Sequence, residues 1–205
     1  MARAARLSLI PVVVALAACG GGGKPHAGST TTTQCATTGR HVTFPLLSAK
    51  APHTVDVQTN VGRFAFRLDV GDSPCVTSSF ASLVRKGFFD GTIFHRIVPG
   101  FVIQGGDPTG TGQGGPGYTV QDVPPQNARY TKGVVAMAKT GAEPRGASGS
   151  QFFVVTAPDA QLTPDYAILG KVTKGLNVVD KIGRLGNRAT ERPTRRIVVL
   201  HMKLE

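Results

Sequence analysis

From residue 54 onward, short apolar stretches alternate with glycine and proline, and their spacing predicts strands more often than helices. Val55 and Val57 before Asn60-Val61-Gly62, and Phe64, Phe66 and Leu68 after it, alternate as the arms of a hairpin do. Ser73-Pro74 reads as a helix start, with serine as N-cap and proline at the first position. Val76, Phe80, Leu83 and Val84 follow at helical spacing, and Gly87 supplies the stop. Strands are predicted over 92–98, 101–104, 133–138, 151–156, 167–172 and 196–204, with a glycine-rich loop over 105–117 and a short helix over 176–182. Strict alternation in the first of these puts Phe94, Arg96 and Val98 on one face. Many short strands, two helices and no strand–helix–strand rhythm predict a closed antiparallel barrel capped by the helices.

The first 19 residues read differently. Arg3 and Arg6 precede an apolar run from Leu7 to Ala18, broken by Ser8 and Pro11 and shorter than the roughly 20 residues a spanning helix needs. The run ends in Leu16-Ala17-Ala18-Cys19-Gly20, which resembles the lipobox of bacterial lipoproteins. That resemblance implies cleavage before Cys19, lipidation of its thiol and a protein anchored on the outer, extracytoplasmic face of the cell membrane. An ordinary secretory signal with a chance cysteine is the alternative. Residues 20–34 are rich in glycine, serine and threonine and read as a flexible tether. The tether and a transitional segment run to residue 52, and the body is expected over 53–205. Outside the cytoplasm Cys35 and Cys75 can form a disulfide or remain two free thiols; the bridge is the favoured expectation.

An apolar content of 40% is enough for one core, and the 26 Gly and 14 Pro favour a turn-rich β body over a bundle. The net charge of +11 raises the question of a polyanion partner. The basic residues are scattered, Arg85-Lys86 and Arg195-Arg196 being the adjacent pairs in the body, and no aromatic residues interleave with them. A solvated basic surface is therefore expected, with no nucleic-acid partner.

Candidate chemistry narrows quickly. Residues 110–115 satisfy the letter of G-x-G-x-x-G, but Pro116-Gly117 follows where a dinucleotide motif needs a helix. The five histidines show no metal-ligand spacing, and Ser148 and Ser150 lack a nucleophile elbow, so no cofactor or metal is expected. What remains is FHRIVPGFVIQGGD at 94–107, which gathers Arg96, Phe101 and Gln104 within nine residues. A guanidinium, a ring and an amide without an acid/base pair suit electrostatic handling of a peptide bond. They do not suit cutting one.

These blocks carry a family resemblance. FHRIVPGFVIQGGDP, then VVAMA at 134–138, GSQFFV at 149–154 and LGKV at 169–172 are similar in content and order to the signature blocks of the cyclophilins. The resemblance covers roughly residues 53–205. It implies an eight-stranded antiparallel β-barrel closed by two helices, peptidyl-prolyl cis-trans isomerase activity, and proline-containing polypeptides as clients. It implies that Arg96, Phe101 and Gln104 are catalytic. It implies that Val102, Phe153 and Leu162 wall a proline pocket with Phe101, that Ala138 and Gln151 line the adjacent groove, and that His95 flanks the arginine. Tyr166 stands where the family usually has a histidine, and stacking on proline is expected there. Gln161 replaces the family's usual tryptophan, which separates cyclosporin sensitivity from catalysis. The loop from Thr140 to Gly149 is about three residues longer than usual, which bears on the groove for residues before the proline. A monomer that speeds folding of secreted or envelope proteins is the expectation. The rival is a proline-segment binding module, or holding chaperone, with incidental catalysis.

Overall fold

A computed structural model describes residues 35–205. The signal over residues 1–19, the tether over 20–34 and Cys19 lie outside the described residues. Eleven strands and two helices follow in chain order. They are β1 (Thr38–Gly39), β2 (Thr54–Thr59), β3 (Gly62–Leu68), α1 (Pro74–Arg85), β4 (Arg96–Val98), β5 (Val102–Gly105), β6 (Tyr118–Gln121), β7 (Val134–Met137), β8 (Ala147–Ser148), β9 (Phe152–Val155), β10 (Ile168–Lys174), α2 (Leu176–Gly183) and β11 (Val199–Leu204). Eight of the strands form one antiparallel sheet in the order β11-β2-β3-β10-β7-β9-β5-β4. The predicted hairpin is its β2–β3 pair, with Thr59 opposite Gly62.

The expected closed barrel is a strongly curled half-barrel instead. No ladder joins the edge strands β4 and β11. Residues 91–94 meet the chain before and at the start of β11 through an isolated bridge, Ile93 to Val198, and through Phe94 N–H donating to Ile197 O at 3.0 Å. The predicted strand over 92–98 is regular only from Arg96 to Val98, and this is the physical reason. Phe94 and Ile97 both enter the main core, so alternation breaks between them and Phe94 does not share the face of Arg96 and Val98.

Two apolar clusters sit on opposite faces of the sheet. Ile103 of β5, Val135 and Met137 of β7, and Phe152 and Val154 of β9 point to the main core, which α1 and α2 cover with Phe80, Leu83, Val179 and Ile182. The alternate residues Val102, Val134, Ala136, Phe153 and Val155 form the second cluster on the outer face. Covering both faces explains why VVAM and FFVV are buried at every position and read as unbroken apolar runs. In the main core Phe80 stacks on Phe89 at 4.6 Å and meets Phe152 edge-on at 5.6 Å, pairs each worth about 0.5–1.5 kcal/mol beyond their burial.

Helix α1 starts where predicted, with Pro74 following Ser73, but the serine side chain makes no capping bond. The orphan donor is satisfied from a distance: Val76 N–H donates to the Asp122 carboxylate at 2.7 Å. Burial, set against bonds from Val76 and Cys75, raises the Asp122 pKa above its ordinary value. Gly87 follows the helix at φ +66°, the left-handed stop that glycine permits. A second, small sheet, β1-β6-β8, has no counterpart in the sequence prediction.

Candidate active site

Strand register assembles the site. Arg96 lies opposite Gln104, Gln104 opposite Phe153, and Phe153 opposite Ala136, so one cross-strand row runs over β4, β5, β9 and β7. A second row, Val98–Val102–Val155, lies beside it. Both rows sit on the outer face, where strands alone would leave apolar surface open. The chain after β9 folds back over this face and brings Leu162 and Tyr166 against Phe153 and Phe101. Tyr166 meets Phe153 edge-on at 5.5 Å. The Tyr130 hydroxyl fixes this flap, donating to Tyr166 O at 2.6 Å and accepting from Tyr166 N–H at 3.1 Å. Burial pushes the Tyr130 pKa up to about 12, so the hydroxyl stays a donor at neutral pH.

The result is a cavity of about 150 Å³ with a ring-lined floor of Phe101, Phe153, Leu162 and Tyr166 and a polar rim of Arg96 and Gln104. Of the residues singled out in the sequence, Arg96, Phe101, Val102, Gln104, Ala138, Phe153, Leu162 and Tyr166 line it. Gln151 lines a neighbouring cavity with Ala138 and reaches the first through a hydrogen bond. His95 lines neither cavity. Its ring backs the glycine-rich loop at Gly112, and its Nδ1 is buried with no partner among the described residues. Burial lowers the His95 pKa; the Asp107 carboxylate opposes this and the Arg96 guanidinium adds to it.

The arginine is held from two sides. Its Nε donates to the Glu191 carboxylate at 2.7 Å, and its Nη1 to Gln104 Oε1 at 3.3 Å. The amides behind it have a fixed polarity. Gln151 Nε2 donates to the carbonyls of Gly112 and Gly114, both at 2.9 Å, so its oxygen must accept from Gln104 Nε2, at 3.1 Å. Gln104 then turns its own oxygen to Arg96. Asp107 anchors the far end of this relay. Fully buried, it accepts from Thr109 N–H at 2.7 Å, from the Thr109 hydroxyl and from Gly112 N–H, which shapes the loop that presents both carbonyls. Burial alone would raise the Asp107 pKa, but the bonds from Thr109, Gly114 and Gly112 outweigh it and hold it at about 2.

Two site residues were absent from the sequence reading. Lys139 lines both cavities, its ammonium 5.8 Å from the Tyr166 ring centre and donating to the carbonyls of Thr140 and Glu143. It follows Ala138 directly, so strand continuation was a usable signal. Glu191 gave none. It lies in an irregular loop at φ +57°, an unusual backbone for a non-glycine residue, held by Ile97 N–H donating to Glu191 O and Glu191 N–H to Asn187 O. Cys35 and Cys75 are bonded, with Cα atoms 5.5 Å apart, which resolves the two open possibilities in favour of the bridge.

Comparison with known proteins agrees with this geometry. A family model described as cyclophilin type peptidyl-prolyl cis-trans isomerase/CLD matches residues 54–204. A peptidyl-prolyl cis-trans isomerase of Arabidopsis thaliana is 35% identical over 158 residues, covering 75% of this chain and 94% of its own length. The peptidyl-prolyl cis-trans isomerase-like 1 of Mus musculus is 37% identical over 153 residues, covering 73% and 90%. A cyclophilin-type isomerase of Cryptosporidium parvum superimposes with a TM-score of 0.70 at 31% identity, over 76% of this chain and 98% of that one. A second structure of that protein, solved in the presence of the dipeptide Ala-Pro, gives a TM-score of 0.68.

Proposed function

The chain belongs to the cyclophilin-type peptidyl-prolyl cis-trans isomerases, and from that premise we propose that Arg96 drives rotation about an X–Pro bond whose ring sits on Phe101, Phe153, Leu162 and Tyr166. An X–Pro bond favours trans by only about 0.5–1 kcal/mol, yet amide resonance sets a barrier of about 18–20 kcal/mol to exchange. As the bond twists, the prolyl nitrogen pyramidalises and gains a lone pair. Two N–H groups of Arg96 are taken by Glu191 and Gln104, which leaves three of the guanidinium's five for substrate. A donor aimed at that nitrogen stabilises the twisted form over either planar one, which is catalysis by differential binding. The apolar floor holds the pyrrolidine ring while the rest of the peptide turns. No proton changes hands. The observation that carries this reading is the row Arg96–Gln104–Phe153, which places charge, amide and ring across adjacent strands at one cavity.

The setting we propose is the extracytoplasmic face of a membrane, with the chain attached as a monomer through lipid on Cys19 and acting on folding secreted or envelope proteins. The lipobox-like Leu16-Ala17-Ala18-Cys19 supports the anchor, and the Cys35–Cys75 bridge supports an oxidising compartment. Mass spectrometry of the protein extracted from membranes should find Cys19 as an acylated N-terminus; an unmodified, intact leader would rule the anchor out. Refolding of a client limited by a slow X–Pro phase should accelerate in proportion to added enzyme. Binding of that client without any change in its slow phase would favour a holding role instead.

A further inference from the structure

The chain outside the family-matched region helps to line a cavity beside Arg96. Beside the proline cavity lies a second one of about 590 Å³, against about 150 Å³ for the first, and Gln104, Ala138 and Lys139 line both. One side of the larger cavity is the long loop at Thr140, Glu143 and Pro144, where the family resemblance puts the residues before the proline. Thr38 and Gly39 of β1, which β6 separates from β8 in the small sheet, also line it. These two residues precede residue 54, where the match to the family begins.

This added wall is fastened at three points. The Cys35–Cys75 bridge ties its start to α1. Strand β1 pairs with β6, Thr38 opposite Thr119 and Gly39 opposite Tyr118. Val42, Phe44 and Leu47 pack on the main core, and Leu47 N–H donates to the Ser78 hydroxyl at 2.9 Å. Gly39 suits its place: at φ +88° a side chain is strained, and a Cβ would stand 2.9 Å from Gly117 O. Arg40 then grips the glycine-rich loop, its N–H donating to Gly117 O and its guanidinium to Pro116 O, both at 3.0 Å. The same loop presents Gly112 and Gly114 to Gln151.

We propose that residues 35–40 are a specificity element: a disulfide-fastened wall against which an extended polypeptide rests the residues that precede its proline. The inference builds on the isomerase reading. Its occupant is a proline-containing segment at least three residues longer on the N-terminal side than a bare X–Pro unit. Continuity of the two cavities through Gln104, Ala138 and Lys139 argues for that occupant, because one chain can fill both. Wall and loop together offer threonine hydroxyls and glycine backbone, which suit hydrogen bonding to an extended main chain.

The test compares two peptides, one with a single residue before the proline and one with four, using exchange spectroscopy on the intact protein and on the Cys35→Ser/Cys75→Ser double variant. The double variant should lose about fivefold or more in kcat/KM for the long peptide, the scale of one or two hydrogen bonds, and keep its rate on the short one. Thr38→Trp, which fills the cavity without touching the disulfide, should weaken binding of the long peptide to a similar degree and covers the case of a poorly folded double variant. In the wild-type protein the amide signals of Thr38, Gly39 and Thr119 should shift with the long peptide and stay in place with the short one. An unchanged long-to-short ratio in both variants, or shifts confined to the Arg96 side, overturns the proposal. If neither peptide is isomerised, the isomerase reading fails, and the amide shifts still decide whether the wall is used.

Discussion

Replacing Glu191 separates the placement of the arginine from its charge. The Arg96–Glu191 pair spans 2.7 Å, but the two side chains are 35% and 44% exposed. Solvent screening at that exposure limits the pair to about 0–1 kcal/mol of stability. Glu191→Ala should therefore lower Tm by no more than about 4 °C. The effect on catalysis should be larger. With Nε released, the guanidinium keeps only the 3.3 Å contact to Gln104, and small misplacements of a catalytic group cost up to about a hundredfold in rate. A loss of about five- to twentyfold in kcat/KM is expected for Glu191→Ala, carried by kcat because the apolar floor proposed to bind the ring is untouched. Glu191→Gln keeps an acceptor for Nε and should stay within about threefold of wild type. Line-shape analysis of an Ala-Pro peptide with each variant gives the rates, and a peptide titration gives the affinities. Full activity in the alanine variant would refute the positioning argument. A glutamine variant as slow as alanine would show that charge matters and placement does not.

Three further outcomes follow from the same geometry. Asp107→Asn should cost about 2 kcal/mol, because the carboxylate's pKa of about 2 lies below its unfolded value. That contribution is complete above the unfolded pKa and is lost as pH falls through about 2. Urea unfolding of wild type should therefore weaken from about pH 4 downward while the variant stays flatter, and parallel curves would contradict this. Tyr130→Phe removes both bonds to the Tyr166 backbone and should cost about 1–2 kcal/mol, with several-fold weaker binding of proline peptides; a change in stability alone would separate Tyr166 from the pocket. Burial moves the His95 pKa below its ordinary value, so isomerase rate should show no step at the ordinary histidine pKa, and a bell-shaped profile would implicate a titrating group.

Four residues of the Arg96 cavity, Arg96, Val102, Gln104 and Phe153, lie on regular strands, whose existence was legible in the sequence. Arg96, Gln104 and Phe153 meet through register, and register follows from alternation once the runs 102–105 and 152–155 are taken as strands. The roles of Phe153, Leu162 and Tyr166 all came from family resemblance, and Leu162 and Tyr166 lie on an irregular flap that no periodicity could have placed. Glu191 was invisible: a turn at φ +57° aims it, and no periodicity encodes that. The helix cap failed for a related reason. Asp122 displaced Ser73 as the partner at the start of α1 through a contact 46 residues away. The barrel closure failed where the alternation failed, between Phe94 and Ile97, which both enter the main core. Strand β1 is two residues long and is set by the bridge to Cys75 and its pairing with β6, so no local pattern announces it.

Arg96→Ala tests the central claim most directly. Exchange spectroscopy on an Ala-Pro peptide should show the isomerisation rate falling by about a hundredfold or more, the scale of losing one preorganised donor, while peptide affinity changes by less than about threefold. Equal rates in the two proteins would contradict the account and leave the arginine no part in rotating the bond.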